Sequence, residues 1–206
     1  MAFTTFVTDP PNLWDNYMGI YVRGSNGLTD CRGKANWHQK WERPASIEYY
    51  ETNGTPRVNQ EVGLEISGNC TRNFPQKSLE IKAKKIYGDN DMDYAFFPGD
   101  KPMISYSRLI LRNGGNDNYH AFLRDSFAQS LAMGRMDLDR QAYRPAVVYL
   151  NGQYWGLYEM REKMDEDYVE NNYNLDEDEF DFLEKNFRVM NGSDDAFREF
   201  YNFIKS

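Results

Sequence analysis

Apolar and polar residues alternate with a period of two in several short stretches of this chain, which is the signature of strands that bury one face. In residues 61–66, Val62, Leu64 and Ile66 alternate with Glu61, Gly63 and Glu65; in residues 77–83, Leu79, Ile81 and Ala83 alternate with Ser78, Glu80 and Lys82. Residues 44–51 are rich in β-formers and run into Thr52-Asn53-Gly54, which predicts a hairpin with 57–60 because Asn-Gly supplies the positive φ values of a tight turn. A second pair, Asn151-Gly152, separates 145–150 from 153–160 and predicts the clearest hairpin of the chain. Residues 107–112 read as a further strand stopped by the Asn- and Gly-rich stretch 113–118. Residues 18–23 read as a short strand after a turn-rich opening at 8–12, and 24–40 as a polar loop.

A helical period replaces the strand period at 121–133, where Phe122, Leu123, Phe127, Leu131 and Ala132 recur three or four residues apart and Gly134 stands at the stop. Helices are also predicted over 165–172 and over 194–205, the latter with Phe197, Phe200, Tyr201 and Ile204 on one side. The expected fold class is α+β, a mostly antiparallel sheet with packed helices in one domain spanning 1–206.

Composition narrows the function classes. The chain is 40% hydrophobic and 16% aromatic, which fits a globular fold, and no apolar run is long enough to span a bilayer. Its net charge of -8 is uneven: residues 159–184 hold twelve Asp or Glu against two Lys or Arg, so no strongly basic surface points to nucleic acid. The two cysteines, Cys31 and Cys70, are too few for a disulfide scaffold and read as incidental thiols, and with only His38 and His120 there is little material for a zinc site or a histidine-based triad. Asp89, Asp91 and Asp93 open like a calcium loop, but Tyr94 stands where glycine is required and Asp100 where a glutamate is, which leaves a solvated acidic turn.

The order of elements is more informative: strand, glycine-containing loop, strand beginning at Lys77, helix, hairpin, connector, helix. That is the order of a kinase small lobe, in which a turn covers the nucleotide phosphates and a nearby lysine neutralises them. The loop would be 68–74, with Gly68 at its start, Arg72 and Lys77 as cations, and Met160, Arg161 and Glu162 as connector. Taken alone, this is also an ordinary polar turn followed by a solvated lysine. Arg124, beside Asp125 early in the predicted helix, serves either a surface ion pair or an anion. Glu159 and Arg161 share one strand face with Trp155 and Leu157, which implies a sheet edge or a polar cavity.

Several segments then resemble, in order, the motifs of the CotH (spore-coat protein H) kinases: Ser67-Gly68-Asn69-Cys70-Thr71-Arg72-Asn73-Phe74-Pro75-Gln76-Lys77-Ser78-Leu79, Ile86-Tyr87-Gly88, Leu111-Arg112-Asn113-Gly114-Gly115-Asn116-Asp117, Phe122-Leu123-Arg124-Asp125, and Tyr149 through Glu162. The opening Thr8-Asp9-Pro10 and Met18-Gly19-Ile20-Tyr21-Val22 are similar as well. Cys70 departs from the pattern, standing where a small residue is more usual. The resemblance implies an atypical protein-kinase-like small lobe. It further implies secreted, cell-surface or spore-coat proteins that transfer phosphate from ATP to protein serines, with magnesium or another divalent metal held by aspartate motifs that do not occur here. On that reading 1–206 is the small lobe and the start of the second lobe, with no residue assigned to the transfer step or to a metal. Gly68, Arg72, Lys77 and Arg124 would face the phosphates, Glu159, Met160, Arg161 and Glu162 would form the nucleotide connector, and Arg112, Asn113, Asp117 and Asp125 would give support. The rival expectation is a non-catalytic surface module that binds a glycan or protein through aromatic residues including Trp14, Trp37, Trp41 and Trp155.

Overall fold

A computed structural model describes residues 1–25, 27, 31, 33–185 and 187–206. The chain forms two compact units, Met1–Glu162 and Lys163–Ser206. The first contains β1 (Ala2–Val7), the short helix α1 (Pro10–Trp14), β2 (Glu42–Tyr50), β3 (Pro56–Ser67), β4 (Ser78–Lys82), β5 (Arg108–Arg112), α2 (Arg124–Ser130), β6 (Tyr143–Leu150) and β7 (Gln153–Glu162). These seven strands close into a barrel in the order β1-β2-β3-β4-β5-β7-β6. All neighbours are antiparallel except β1 and β6, which close the barrel in parallel with Ala2 opposite Ala146 and Phe6 opposite Leu150.

The closed barrel corrects the expected α+β sheet with packed helices and the kinase-like small lobe. The difference originates in β1. Ala2, Thr4 and Phe6 of that strand are buried, while the intervening residues are less so, and the strand pairs with β2 on one side and β6 on the other, so the sheet has no edge left. Residues 18–23 are turns rather than a strand, and the opening instead forms α1, with prolines in its first turn, where a missing N–H costs nothing. Of the polar loop expected at 24–40, residues 26, 28–30 and 32 lie outside the described residues; the rest holds a 3-10 turn at Asn36–His38.

Inward-facing residues fill the barrel: Ile47 and Tyr49 from β2, Leu64 and Ile66 from β3, Leu79 and Ile81 from β4, Leu109 and Leu111 from β5, Val148 from β6, and Tyr158 and Met160 from β7. The 52–54 and 151–152 turns connect hairpins as the Asn-Gly pairs predict, with Asn151 at φ 50° and Gly152 at φ 79°. β3 runs unbroken through the two pieces read separately at 57–60 and 61–66.

The helix expected over 121–133 is regular only over Arg124–Ser130, and its orientation is the reverse of what its apolar stripe implies. Ser126 is buried, whereas Leu123, Phe127 and Leu131 are exposed. What α2 meets on the sheet is charged, so it turns its polar side inward.

The second unit contains α3 (Glu166–Tyr173), a hairpin of β8 (Phe182–Glu184) and β9 (Arg188–Asn191), and α4 (Asp195–Lys205). Phe187 lies 4.7 Å from Phe197 and 5.7 Å from Tyr201, which anchors α4 to the hairpin loop. Among the described residues, no helix is long and apolar enough to cross a membrane.

Candidate functional site

The link from β3 to β4 leaves the strand at Gly68, whose φ of 103° is open to glycine but strained for other residues; a Cβ there would stand 2.6 Å from Thr71 Oγ1. Cys70–Asn73 make one 3-10 turn, and Pro75 follows it, where a helix could not continue. This turn is tied to the strap before β2 at three points. Cys31 and Cys70 form a disulfide with Cα atoms 4.3 Å apart. The Arg72 Nη1 donates to the Trp37 carbonyl at 3.1 Å, and the Trp37 indole N–H donates to Asn73 Oδ1 at 2.8 Å. The disulfide corrects the reading of the two cysteines as incidental thiols. A pairing across 39 residues is brought about by the strap folding over the turn.

Lys77 is the surprise of the turn. Its side chain is not solvated: the residue is 3% exposed and its Nζ donates to the carbonyls of Arg72 at 2.6 Å and Phe74 at 2.9 Å. The ammonium also lies 4.0 Å from the centre of the Trp37 ring and 5.4 Å from that of Tyr21. Burial disfavours the charge and pushes the amine down to about 8. Lys77 thus caps the carbonyls of the loop it follows. Arg72 closes the loop from the other side, donating to the Gly68 carbonyl at 2.6 Å and reaching Glu65 at 4.0 Å.

A second loop, 113–118, is latched to the exit of this turn by Asn113, which is fully buried. Its Nδ2 donates to the Gln76 carbonyl at 2.7 Å, and its Oδ1 accepts from Ser78 Oγ at 2.9 Å and from the Gly115 N–H at 3.1 Å. Gly115, at φ 60°, lies against Arg112, since a Cβ there would be 2.7 Å from that guanidinium. The two loops therefore occupy the same end of the barrel.

Beside them the outer face of β7 carries a buried charge network. Arg161 is 1% exposed and Glu159 fully buried; they pair at 2.6 Å, and Ser126 of α2 donates to the other oxygen of Glu159. Arg161 also pairs with Asp125, which stands 3.5 Å from Arg112. Burial opposes ionisation of Asp125, but the guanidiniums of Arg161 and Arg112 outweigh it and hold its carboxyl below the usual range. Next to Asp125 in the chain, Arg124 pairs with Asp117 at 2.6 Å and keeps 63% of its side chain in solvent.

The sequence-predicted residues thus fall into three groups. Gly68, Arg72 and Lys77 form the turn, and Arg112, Asn113, Asp117, Arg124 and Asp125 gather next to it. Glu159, Met160, Arg161 and Glu162 are the last residues of β7 and pair with β5, so they are strand rather than connector. Met160 packs in the barrel interior, and Glu162 accepts from the Ala142 N–H at 2.7 Å and pairs with Lys101 at 3.6 Å. Sequence reasoning missed the strap. Its one readable signal was Trp37, placed amid polar residues.

Of the aromatic residues of the rival expectation, Trp37 and the cluster around Tyr21 meet at Lys77, whose ammonium lies against both rings. Trp37 covers Lys77 and Trp41 lies under Arg43, while Trp14, Tyr21 and Trp155 cluster with ring centres 5.2–5.5 Å apart. Among the described residues, no group of three or more His, Cys, Asp or Glu side chains could hold a metal ion. Asp100 of the calcium-like stretch is paired with Arg140.

A comparison with curated proteins finds no match. The family model described as CotH kinase protein matches residues 64–202, from the end of β3 through both loops and α2 into α4. That match covers more than half of the chain and takes in the turn, the latch and the buried charge network, so this chain belongs to the CotH kinase family.

Proposed function

We propose that this chain is the nucleotide-receiving part of a CotH-type protein kinase, with the phosphates of ATP lying where the 68–77 turn meets the 113–118 loop. The observation that carries the reading is the Asn113 latch, which joins the two loops and so sets Arg72, Arg112 and Arg124 at one end of the barrel. A guanidinium has five donors and suits phosphate oxygens, and each of these three retains donors beyond its carboxylate partner. Gly68 supplies the sharp exit that the turn needs, Lys77 holds the turn from beneath, and Glu159 and Arg161 fix Asp125, which orients Arg112. Met160 and Glu162 contribute by holding β7 in register with β5.

In protein kinases a divalent ion bridges the phosphates and neutralises the charge that develops during transfer to a serine. The carboxylates at this end do not fit such an ion, because Asp117, Asp125 and Glu159 are each engaged by a guanidinium. The role proposed for these residues is therefore to bind and orient ATP for phosphorylation of a protein partner.

Calorimetry of the chain with ATP and Mg2+ tests this. Saturable heat is expected, with Arg72→Ala and Arg124→Ala each weakening binding about tenfold, the scale of one charge-assisted hydrogen bond. Absence of heat with ATP, together with saturable heat from a polysaccharide, would replace the reading with a glycan-binding module centred on Trp14 and Trp155.

A further inference from the structure

We propose that the Cys31–Cys70 disulfide is a reducible clamp that controls the order of the 68–77 turn. Both cysteines are exposed, although the turn they anchor ends in the buried Lys77. Structural disulfides are more often enclosed with the core they staple; this one lies outside the barrel, and no barrel strand contains either cysteine. Beside it opens a cleft of about 220 Å3 lined by Gly33, His38, Lys40, Asn69 and Arg72. Lys40 and Arg72 line this cleft together with Cys31, and cations close to a departing thiolate favour exchange.

The reductant is a dithiol. One of its thiolates attacks a sulfur of the Cys31–Cys70 bond; that bond breaks, and a mixed disulfide forms. The second thiol of the reductant displaces the mixed disulfide, leaving Cys31 and Cys70 as thiols and the reductant as an internal disulfide, so two electrons and two protons pass to the protein. Afterwards the non-covalent ties between strap and turn remain, among them the bonds of Trp37 to Arg72 and Asn73 and the contact of its ring with the Lys77 ammonium. These are part-buried, non-covalent contacts, and each opens far more readily than a covalent link. The barrel retains its pairing, so reduction loosens the turn without unfolding the unit. The effect of this loosening on ligand binding rests on the nucleotide reading above: an Arg72 that must be ordered on binding makes ATP affinity on the order of tenfold weaker.

The test compares the oxidised chain, the chain reduced with dithiothreitol, and the Cys31→Ser/Cys70→Ser double variant, by hydrogen exchange and by ATP calorimetry. Expected on reduction is at least roughly tenfold faster exchange of amides in 70–77 with unchanged protection in β2, β3 and β4, together with the weaker ATP binding. The double variant should match the reduced state and ignore dithiothreitol, and reoxidation of the wild type should restore protection. Equal protection of the turn in both states overturns the clamp, as does loss of barrel protection along with the turn, which would make the disulfide a staple of the whole unit. If ATP gives no heat in any state while the exchange difference holds, the nucleotide reading fails and the clamp stands. Equal ATP affinity with equal exchange has the opposite meaning.

Discussion

Replacing Lys77 by methionine removes the ammonium while keeping a long side chain beneath Trp37, and the consequence for stability depends on pH in a way that follows from the burial of the amine. The group is lowered by desolvation from its ordinary 10.5 to about 8 in the folded chain. Below pH 8 it is charged in both states, and the folded state bears the cost of a buried cation. Between about pH 8 and 10.5 the unfolded chain holds more protons than the folded one, so stability rises with pH, the reverse of a lysine that gains an ion-pair partner. At 1.36 kcal/mol per pKa unit the full gain is about 3 kcal/mol, and the linkage relation places about 2 kcal/mol of it between pH 7 and 9.5. Methionine has no proton to lose, carries no buried charge and cannot donate to the carbonyls of Arg72 and Phe74, so the variant does not share this rise with pH. The stability of wild type relative to the variant therefore increases by about 2 kcal/mol from pH 7 to 9.5. Tyr21 beside the amine and Tyr158, whose hydroxyl donates to the Lys77 carbonyl, have pKa values raised by burial and stay protonated through the window, and surface groups common to both proteins cancel in the difference. Urea unfolding followed by tryptophan fluorescence at pH 7, 8.5 and 9.5 measures that relative stability. A relative stability that is constant or falls with pH would show that the carbonyls and the Trp37 ring offset desolvation completely, and would refute the reasoning.

Asp125→Asn leaves the buried Arg161 facing a neutral amide, and a loss of about 3 kcal/mol or more in urea unfolding is expected; a loss below 1 kcal/mol would mean that Glu159 alone suffices. Gly68→Ala forces a side chain into φ 103° and against Thr71, which should cost about 1–3 kcal/mol and accelerate proteolysis at the turn, whereas unchanged stability would mean that the turn relaxes freely. Glu51 is held at about 2 chiefly by its hydrogen bonds to Arg144, so its contribution is complete above its ordinary value near 4.5 and is lost as pH falls toward 2. Glu51→Gln should therefore flatten the acid side of a plot of melting temperature against pH, and parallel plots for the two proteins would exclude that role.

How far the fold was readable depended on the range of the interactions involved. The hairpins β2–β3 and β6–β7 were legible because an Asn-Gly turn and a run of β-formers are local, β4 carried its own alternation, and β5 was marked by a short apolar run stopped by the Asn- and Gly-rich stretch after it. The closure was not. β1 is six residues long, with two threonines in its middle, and its parallel partner lies more than a hundred residues away, so nothing local sets that register. The loop expected at 68–74 does hold the turn Cys70–Asn73, but the direction of Lys77 was not legible, since a lysine at a strand end is solvated unless aromatic rings from elsewhere cover it. Those rings, Trp37 and Tyr21, arrive through the strap, read only as a polar loop, and through the segment after α1, read as a short strand and found to be turns. For α2 the apolar stripe was real, but it pointed to the wrong face, because the charges that attract Ser126 and Asp125 lie on β7 and are visible only once that strand is placed beneath the helix.

That inversion bears on what the network of Glu159 and Arg161 is for. A buried ion pair is a poor stabiliser, because removing two charges from water costs about as much as their attraction returns, and apolar residues of similar volume often serve stability better. Leu123, Phe127 and Leu131 could have supplied such packing from α2, yet they face solvent while the helix spends its inward side on Ser126 and Asp125. The arrangement does fix geometry. Glu159 orients Arg161, Arg161 orients Asp125, and Asp125 stands at the rim, where it meets Arg112 at the edge of the 113–118 loop. A chain of charges from a fully buried carboxylate to a half-exposed guanidinium sets the direction of the outermost group more tightly than its own flexible stem would. On this argument the charges on β7 serve chiefly to hold groups in place at the end of the barrel, so substitutions within the network should displace the Arg112 guanidinium even where the fold survives.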